Sequence, residues 1–283
     1  MERIDQIKLN FTRGWNLPGK ERLSSLIKLS DSVKKKLHNG IVWLKNEDIA
    51  IHSTVDNFIE CAILSTGTYE DDINKLIRIS LNAGENAIDI GGNIGLQSIR
   101  MAKCTGMQGK IYAFEPLAHL QEKFRKNIQL NKVDNVSLFP YALSDEEGEL
   151  EFTVNKNSWN QGTFSLSHTG DGVEKQLVSI KIADNIPEIQ NLESLALIKI
   201  DVEGFEFQVI KGLKQTIQKY RPRLIFEYDE NYWKKTGQSM EECYAFLKAC
   251  NYTVYQVTPF GCELIEDPKV AKGDNIFCIP QIV

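Results

Sequence analysis

The segment from Asn86 to Pro116 constrains the fold more than any other part of the sequence. A short apolar run, Ala87 to Ile90, is followed by three glycines and then by apolar residues at helical spacing, which predicts a strand, a tight turn and a helix. A second apolar run, Ile111 to Phe114, ends at Glu115. The segment therefore predicts one βαβ unit, which is the building block of a parallel sheet covered by helices.

The chemistry of this turn indicates a nucleoside ligand. The glycines between Gly91 and Gly95 would let the backbone approach a ligand closely. Glu115 lies at the end of the second strand, roughly 20 positions further on, where a carboxylate can accept hydrogen bonds from a ribose diol. Asp89 would repel a pyrophosphate, but it suits a cationic ligand such as S-adenosylmethionine, which carries a sulfonium and an ammonium group.

Two other interpretations of the turn stay open at this point. A dinucleotide-dependent dehydrogenase would need the glycine pattern G-x-G-x-x-G, and the three glycines of this turn, at 91, 92 and 95, do not have that spacing. A nucleoside-binding module without catalytic activity would keep the turn, but it would not need acidic residues at the ends of other strands.

Composition favours an ordinary soluble α/β protein. The chain has 283 residues and a formal net charge of −5, which disfavours nucleic acid as a partner. Its cysteines and histidines show no zinc-site spacing, and no apolar run is long enough to span a membrane. The amino terminus lacks a signal pattern, so we expect a reduced, cytoplasmic location.

The chain divides into a small N-terminal appendage at residues 1–60 and a larger domain at 61–283. The appendage shows helical spacing from Leu23 to Leu37 and short apolar runs, including Phe58 to Ile59, that predict strands. Within the larger domain, Glu149 to Val154 and Gln176 to Ile182 alternate as paired antiparallel strands do. The polar stretch at 155–175 between them is predicted to be a substrate lid.

Two further strands carry charged residues at their carboxyl ends. Leu195 to Val202 is a nearly continuous apolar run that contains Lys199 and Asp201, and the run from Arg223 to Tyr228 carries Glu227 near its end. Charges in such strands are costly unless they are paired or functional, and α/β proteins bind ligands at this edge of the sheet. Together with a closing strand pair, these runs predict an open parallel sheet with one antiparallel member.

An ordered set of short motifs extends from Tyr69 to Pro280 and resembles the FkbM family of class I S-adenosylmethionine-dependent methyltransferases. The motifs are Tyr69-Glu70, IDIGGNIG at 88–95, FEP at 114–116, ALSD at 142–145, KIDVEGFE at 199–206, KGL at 211–213, RP at 221–222 and FE at 226–227. The resemblance implies a Rossmann-like sheet of seven strands, mostly parallel with one reversed strand. It also implies an O-methyltransferase that acts on a hydroxyl group of a sugar, a sugar nucleotide or a secondary metabolite.

This interpretation assigns roles to specific residues. In the predicted cofactor site, Asp89 faces the methionine end, Glu115 holds the ribose, and Tyr141 with Ala142 contacts the adenine. The full predicted cofactor set is Tyr69, Glu70, Asp89, Gly91, Gly92, Asn93, Gly95, Glu115, Pro116, Tyr141 and Ala142. The predicted catalytic residues are Asp201, Lys199 and Glu227, where a carboxylate removes the acceptor proton. In a second version of this hypothesis, Asp201 and Glu227 bind Mg²⁺ or Mn²⁺, which prefer oxygen ligands.

Overall fold

The computed structural model describes residues 40–53, 58–155 and 173–281. The predicted helix from Leu23 to Leu37 and nearly all of the predicted lid at 155–175 lie outside the described residues. The described strands are β1 (Gly40–Trp43), β2 (Ala50–Ser53), β3 (Ala87–Ile90), β4 (Ile111–Phe114), β5 (Val136–Phe139), β6 (Ala142–Ser144), β7 (Gly148–Asn155), β8 (Val173–Ile182), β9 (Leu197–Ile200), β10 (Arg223–Tyr228), β11 (Tyr252–Thr258), β12 (Gly261–Leu264) and β13 (Asp274–Pro280). The described α-helices are α1 (Phe58–Thr66), α2 (Asp71–Ser80), α3 (Leu96–Thr105), α4 (Ala118–Leu130), α5 (Pro187–Gln190), α6 (Glu206–Gly212), α7 (Lys214–Tyr220), α8 (Glu230–Lys235) and α9 (Met240–Ala249).

A central sheet of eight strands has the order β12-β11-β13-β10-β9-β3-β4-β5. The strands from β10 to β5 run parallel to one another. Strand β13 pairs antiparallel with both β10 and β11, and β12 pairs antiparallel with β11. The predicted α/β class is confirmed. The predicted number of seven strands with one reversed member is corrected, because the sheet that the described residues form has eight strands, of which β12 and β13 are reversed.

The additional strand, β12, follows a tight turn at the edge of the sheet. The Thr258 hydroxyl donates to the Gly261 carbonyl oxygen at 3.0 Å, and the chain then returns along β11. All four residues of β12 are exposed. A strand without a buried face has no apolar pattern to mark it in the sequence, which is why β12 was not predicted.

Helices cover both faces of the central sheet, as its strands require. All residues of β3 and β9 are buried, so neither face of these strands can be left to water. On one face, Ile77 of α2 and Met101 of α3 pack against the sheet. On the other face, Ile210 of α6 and Trp233 of α8 belong to the largest apolar cluster.

The hairpin formed by β1 and β2 packs against α1, α3 and α4. Two asparagines hold the hairpin in place: Asn127 within α4, and Asn131 directly after it. Asn127 Oδ1 accepts from the His52 N–H at 2.8 Å, and Asn131 Oδ1 accepts from the Ala50 N–H at 3.0 Å. The strand predicted from Phe58 to Ile59 is wrong. These residues begin α1, because the apolar run continues through the buried Ala62 and its neighbours for nine helical residues.

A smaller sheet has the order β6-β8-β7. The predicted antiparallel pairing of β7 with β8 is confirmed over the whole length of β7. Strand β6 adds to β8 in parallel, directly after β5. This sheet therefore begins beside the carboxyl edge of the central sheet.

None of the described helices combines the length and the apolar character needed to cross a membrane. All six cysteines of the chain are free thiols. Cys243, Cys250 and Cys278 are buried, and burial raises the pKa of each of these thiols. They fill space as small apolar side chains.

Candidate active site

The glycine turn joins β3 to α3. Gly91 and Gly95 have φ angles of 81° and 88°, and Asn93 between them has a φ of 49°. The backbone N–H groups of Gly91 and Gly92 donate to the Phe114 carbonyl oxygen at 2.9 and 3.0 Å, which ties the turn to the end of β4. Contacts within the protein therefore hold the turn in its shape.

Packing inside the protein also requires glycine at this turn. A Cβ on Gly91 would lie 1.9 Å from the Asp201 carbonyl oxygen, and one on Gly92 would lie 2.7 Å from Cε2 of Phe124. A Cβ on Gly95 would lie 3.0 Å from the same ring. The sequence analysis attributed these glycines to the close approach of a ligand. The structure adds a second cause, because the end of β9 and helix α4 press directly against the turn.

Glu115, the predicted ribose ligand, is almost completely buried at the end of β4. Its Oε2 accepts from the Asn93 N–H and its Oε1 from the Leu117 N–H, each at 2.9 Å. Burial raises the pKa of the Glu115 carboxyl to about 7, although the two backbone donors lower it. The Glu115 side chain thus stabilises the glycine turn through these hydrogen bonds and also lines the cavity beside this turn.

A first cavity opens at the carboxyl ends of β3 and β4. Its lining includes the predicted cofactor residues Glu115, Pro116, Tyr141 and Ala142. Aromatic rings stack along one side, where the ring centroids of Phe114 and Phe139 lie 5.0 Å apart.

The small sheet supplies an apolar wall of this first cavity through Leu150, Phe152 and Ile180. The sequence analysis missed this wall. No local sequence pattern connects these strands to the glycine turn. The alternation of apolar and polar residues in both strands did indicate that one face of this sheet is buried.

A second cavity lies on the other side of the glycine turn. The predicted residues Tyr69, Glu70, Lys199 and Glu227 all line it. Tyr232 of α8 also lines it and was missed by the sequence analysis. The position of Tyr232 in the sequence could have indicated this role. The helix that contains it begins directly after the strand that carries Glu227, at the edge of the sheet where α/β proteins bind ligands.

The two cavities meet at four residues. Gly91, Asn93, Asp201 and Glu203 line both of them. In the central sheet, β9 lies between β3 and β10 and so brings Asp201 between the ends of these two strands. We call this place the junction.

Lys199 forms an ion pair beside the junction. Its Nζ donates to Asp201 Oδ2 at 2.9 Å and lies 4.0 Å from Asp89 Oδ1. Burial lowers the pKa of Lys199, but the negative charges of Asp201, Asp89 and Glu70 outweigh burial and raise that pKa above its usual range. The neighbouring carboxylates therefore favour the charged form of Lys199 at this edge of the sheet.

Asp89, which we predicted to face the methionine end of the cofactor, is not among the residues that line either cavity. It is opposite Lys199 in the pairing of β3 with β9 and is fully buried. Its Oδ2 accepts from the Ser98 hydroxyl at 2.5 Å. Burial raises the pKa of Asp89, and the charge of Lys199 opposes this rise. Helix α3 covers the Asp89 carboxylate, and the negative charge of Asp89 faces the Lys199 ammonium from the buried side.

The turn before α2 carries Tyr69 and Glu70. Gln97 Nε2 donates to Glu70 Oε2 at 2.6 Å, and Arg100 Nη1 donates to the Tyr69 carbonyl oxygen at 2.8 Å. Glu70 has a φ of 50°, so its backbone is left-handed at the residue that precedes the helix. Burial raises the pKa of the Glu70 carboxyl, while the charge of Lys199 lowers it.

Two carboxyl groups at the mouth of the second cavity have raised pKa values. Burial, followed by the charges of Asp201, Glu206 and Asp229, raises the pKa of Glu203 to about 8. The charge of Asp201, followed by burial, raises the pKa of Glu227 to about 10. Within the described residues, neither carboxyl group has a hydrogen-bond partner. Acidic groups of this kind are common at functional sites.

Glu206, although close to these groups, is held by structural contacts. It accepts hydrogen bonds from the backbone N–H groups of Val202 and Gly204 and from Trp233 Nε1, at 2.9, 3.0 and 2.8 Å. Asp229 caps the amino end of α8. Glu206 therefore fixes the loop from Val202 to Gly204, and Asp229 fixes the start of α8.

The donor set does not fit the divalent cation that we predicted at Asp201 and Glu227. The Asp201 carboxylate already pairs with the Lys199 ammonium, so a cation occupies the position a metal would take. Among the residues that the structure describes, no group of three or more His, Cys, Asp or Glu side chains could hold a metal ion.

Comparison with known protein families identifies one matching model, which is described as the methyltransferase FkbM domain and matches residues 89–254. A protein named Methyltransferase 1 from Beauveria bassiana is 28% identical over 44% of this chain and 57% of its own length. The hexuronic acid methyltransferase AglP of Haloferax volcanii is 26% identical over 53% of this chain and 58% of its own length. The 2-O-methyltransferase NoeI of Sinorhizobium fredii is 27% identical over 47% of this chain and 59% of its own length. The chain thus spans less than two thirds of the length of each of these relatives.

Among solved structures, methyltransferase FkbM from Methylobacillus flagellatus matches 87% of this chain and 58% of its own chain. The sequence identity is 12% and the TM-score is 0.44.

Proposed function

Since the chain belongs to the FkbM methyltransferase domain family, whose model matches residues 89–254, we propose that it is an S-adenosylmethionine-dependent O-methyltransferase. The acceptor is a hydroxyl group of a small molecule, namely a sugar, a sugar nucleotide or a secondary metabolite. The observation that carries this proposal is the meeting of two cavities at Gly91, Asn93, Asp201 and Glu203. Methyl transfer needs two ligands that touch at one point.

The first cavity suits an adenosine group. Glu115 would accept hydrogen bonds from the ribose diol, because its carboxyl lines the cavity and sits at the end of β4. Tyr141 and Ala142 would contact the adenine, and the aromatic rings behind them offer a flat apolar surface. The methionine part would extend past the glycine turn into the second cavity, toward Tyr69 and Glu70.

The charges of the two cavities favour a cationic cofactor over a dinucleotide. Within the part of the chain that the structure describes, Lys199 is the sole basic residue that lines either cavity, and it is paired with Asp201. A pyrophosphate would meet carboxylates there and no unpaired cation. We therefore disfavour the alternative of an NAD-dependent dehydrogenase.

The predicted catalytic residues have distinct roles in this proposal. S-adenosylmethionine supplies a methyl group that is already activated by the positive charge on sulfur. The hydrogen bond from Lys199 orients the Asp201 carboxylate at the junction, where the negative charge of Asp201 would face the reacting centre. Glu227, with Tyr232 beside it, would bind the hydroxyl acceptor at the outer side of the second cavity. The protein's main contribution is alignment of the two reactants.

The names of two relatives support transfer to oxygen on a sugar. NoeI is named as a 2-O-methyltransferase, and AglP is named as a hexuronic acid methyltransferase. Their sequence identities of 27% and 26% support the class of acceptor and not its identity. The absence of a nucleic-acid substrate and the cytoplasmic location stay predictions from the sequence.

We also retain the predicted division of the chain. In this proposal, residues 1–60 form an appendage to the methyltransferase domain at 61–283, and residues 155–175 form a substrate lid. Strands β7 and β8, which lead into and out of that stretch, supply Leu150, Phe152 and Ile180 to the first cavity. This connection supports a lid, because the stretch joins two strands that contribute side chains to the wall of the first cavity.

The decisive experiment combines cofactor binding with an acceptor screen. Titration calorimetry should show binding of S-adenosylmethionine and S-adenosylhomocysteine, and no binding of NAD. Incubation with S-adenosylmethionine and a panel of sugars, sugar nucleotides and small polyhydroxyl compounds should then give a product heavier by one methyl group in mass spectrometry. Binding of NAD in preference to S-adenosylmethionine would contradict the proposal.

A further inference from the structure

The junction contains two ionisable side chains, Asp201 and Glu203. They differ in their partners. Asp201 Oδ2 accepts from Lys199 Nζ at 2.9 Å, so this carboxylate is already engaged in an ion pair. The Glu203 carboxyl has no hydrogen bond or ion pair with any residue that the structure describes.

The backbone places Glu203 at the junction at an energetic cost. Its φ of 54° is left-handed, a conformation that a residue with a side chain adopts rarely and that persists where surrounding contacts enforce it. Such contacts hold both neighbours of Glu203 in the chain. Glu206 accepts from the N–H groups of Val202 and Gly204, and the Thr236 hydroxyl donates to the Gly204 carbonyl oxygen at 2.6 Å.

The next residue shows how tightly this loop is held. A Cβ on Gly204 would lie 2.9 Å from Cβ of Tyr232, so helix α8 packs directly against the loop. The loop cannot relax outward to relieve the strain at Glu203. Strained residues that are held in this way cluster at active sites.

From this geometry we infer that Glu203 is the general base that removes the proton from the acceptor hydroxyl during methyl transfer. This inference rests on the proposed function. In the step, the acceptor oxygen forms a bond to the methyl carbon while the bond from that carbon to sulfur breaks. The bonding electrons pass to sulfur, which becomes an uncharged thioether, and the hydroxyl proton passes to the Glu203 carboxylate.

The surroundings of Glu203 suit this role near neutral pH. Burial and the charges of Asp201, Glu206 and Asp229 raise its pKa to about 8. Glu227 and Tyr232 also face it, and each has its own pKa raised in part by the Glu203 charge. A base with a pKa near the working pH transfers protons most effectively.

The test compares three variants in the full chain, with an acceptor found in the screen described above. Glu203→Gln keeps the shape but cannot take a proton, and Glu203→Gly removes the side chain while suiting the left-handed backbone. The matched control is Glu263→Gln, which removes an exposed carboxylate on β12. We expect kcat to fall by about 100-fold or more in both Glu203 variants and to stay at the parental value in the control.

Three readouts separate a base from a structural residue. Glu203→Gly should melt at or above the parental temperature, because glycine relieves the strained φ, so its loss of rate cannot come from unfolding. Acetate or formate should restore part of its rate by occupying the vacated space. In the parent, kcat should rise with pH through about 8, and this rise should be absent from both variants.

The outcomes are separable from those of the proposed function. A parent that transfers no methyl group to any acceptor overturns the proposed function and the inference with it. A parent that methylates, with Glu203 variants that match its rate, overturns the inference alone. Slow variants that keep the parental pH profile and show no rescue by acetate also overturn it, since Glu203 would then be structural.

Discussion

Arg100 and Glu47 form a buried bidentate ion pair that connects the β1–β2 hairpin to helix α3. Arg100 Nε donates to Glu47 Oε2 at 2.9 Å and Nη2 donates to Glu47 Oε1 at 2.6 Å. The side chains are 1% and 6% exposed. Since Arg100 also donates to the Tyr69 carbonyl oxygen, the pair connects the hairpin to the turn that lines the second cavity.

Removal of the charge at Glu47 should destabilise the protein strongly. Glu47→Gln leaves the Arg100 guanidinium buried without its counter-charge, which costs about 3–5 kcal/mol in the free energy of unfolding. Urea denaturation measures this loss. The control is Glu122→Gln, which breaks an exposed pair with Lys126 and should leave the unfolding free energy unchanged within error. Equal stability of both variants would show that the Arg100–Glu47 pair contributes nothing.

The glycine turn should tolerate alanine differently at its first two positions. Gly92→Ala should cost about 1–3 kcal/mol of stability, because the new methyl group meets the Phe124 ring at 2.7 Å. Phe124→Leu should offset part of that cost in a double variant. Gly91→Ala should not be rescued in this way, because its Cβ would meet the Asp201 backbone oxygen at 1.9 Å and its φ is 81°. Additive losses in the Gly92 and Phe124 pair would contradict this explanation.

Glu115 should determine cofactor affinity. Glu115→Gln should weaken S-adenosylmethionine binding by about 1–3 kcal/mol, the cost of losing a charge-assisted hydrogen bond to the ribose. In the parent, affinity should fall as the pH drops below about 7, since the protonated carboxyl accepts hydrogen bonds poorly. Calorimetry at several pH values measures both effects. An unchanged affinity in the variant would mean that the end of β4 does not hold the ribose.

The stability of the ligand-free protein should fall as the pH rises. The pKa values of Glu115 and Glu206 are raised to about 7 and that of Glu203 to about 8, from 4.5 in the unfolded chain. A carboxyl group with a raised pKa in the folded state contributes stability that is complete below about pH 4.5 and is lost as the pH rises through the folded pKa. The melting temperature should therefore decrease from about pH 5 to about pH 9.

Glu203→Gln should make that decrease shallower, because it removes one of the titrating groups. S-adenosylmethionine should do the same, because its positive charge favours the ionised carboxylates. A melting temperature that rises steadily over this pH range would contradict the raised pKa values.

Methyl transfer should not depend on a divalent metal ion. The Lys199 ammonium already provides the positive charge beside Asp201, so excess EDTA should leave the rate unchanged. Asp201→Asn should lower the rate steeply, because it removes the negative charge that pairs with the Lys199 ammonium at the junction, and cofactor binding should be affected much less. Loss of activity in EDTA that Mg²⁺ or Mn²⁺ restores would revive the metal-dependent mechanism.

The sequence by itself determined the central βαβ unit, the parallel strands and the acidic residues at their ends. These features are local: apolar runs bounded by glycine and proline, and charges at the ends of those runs. The family resemblance rested on the same local motifs, and the match over residues 89–254 confirms it. The exposed strand β12 and the beginning of α1 at Phe58 were missed, because neither shows a clear periodic pattern of its own.

Only the tertiary structure decided which acidic residues share a cavity and which are paired. Asp89, Asp201 and Glu203 have equivalent signals in the sequence, since each lies at or just beyond the end of an apolar strand. In the fold, Asp89 is covered by α3, Asp201 is bound by Lys199, and Glu203 is left at the junction on a strained backbone. The physical reason is that burial and charge pairing arise between segments distant in the chain, here β3 with β9 and the loop after β9 with α8. A pattern of neighbouring residues cannot encode contacts of that kind.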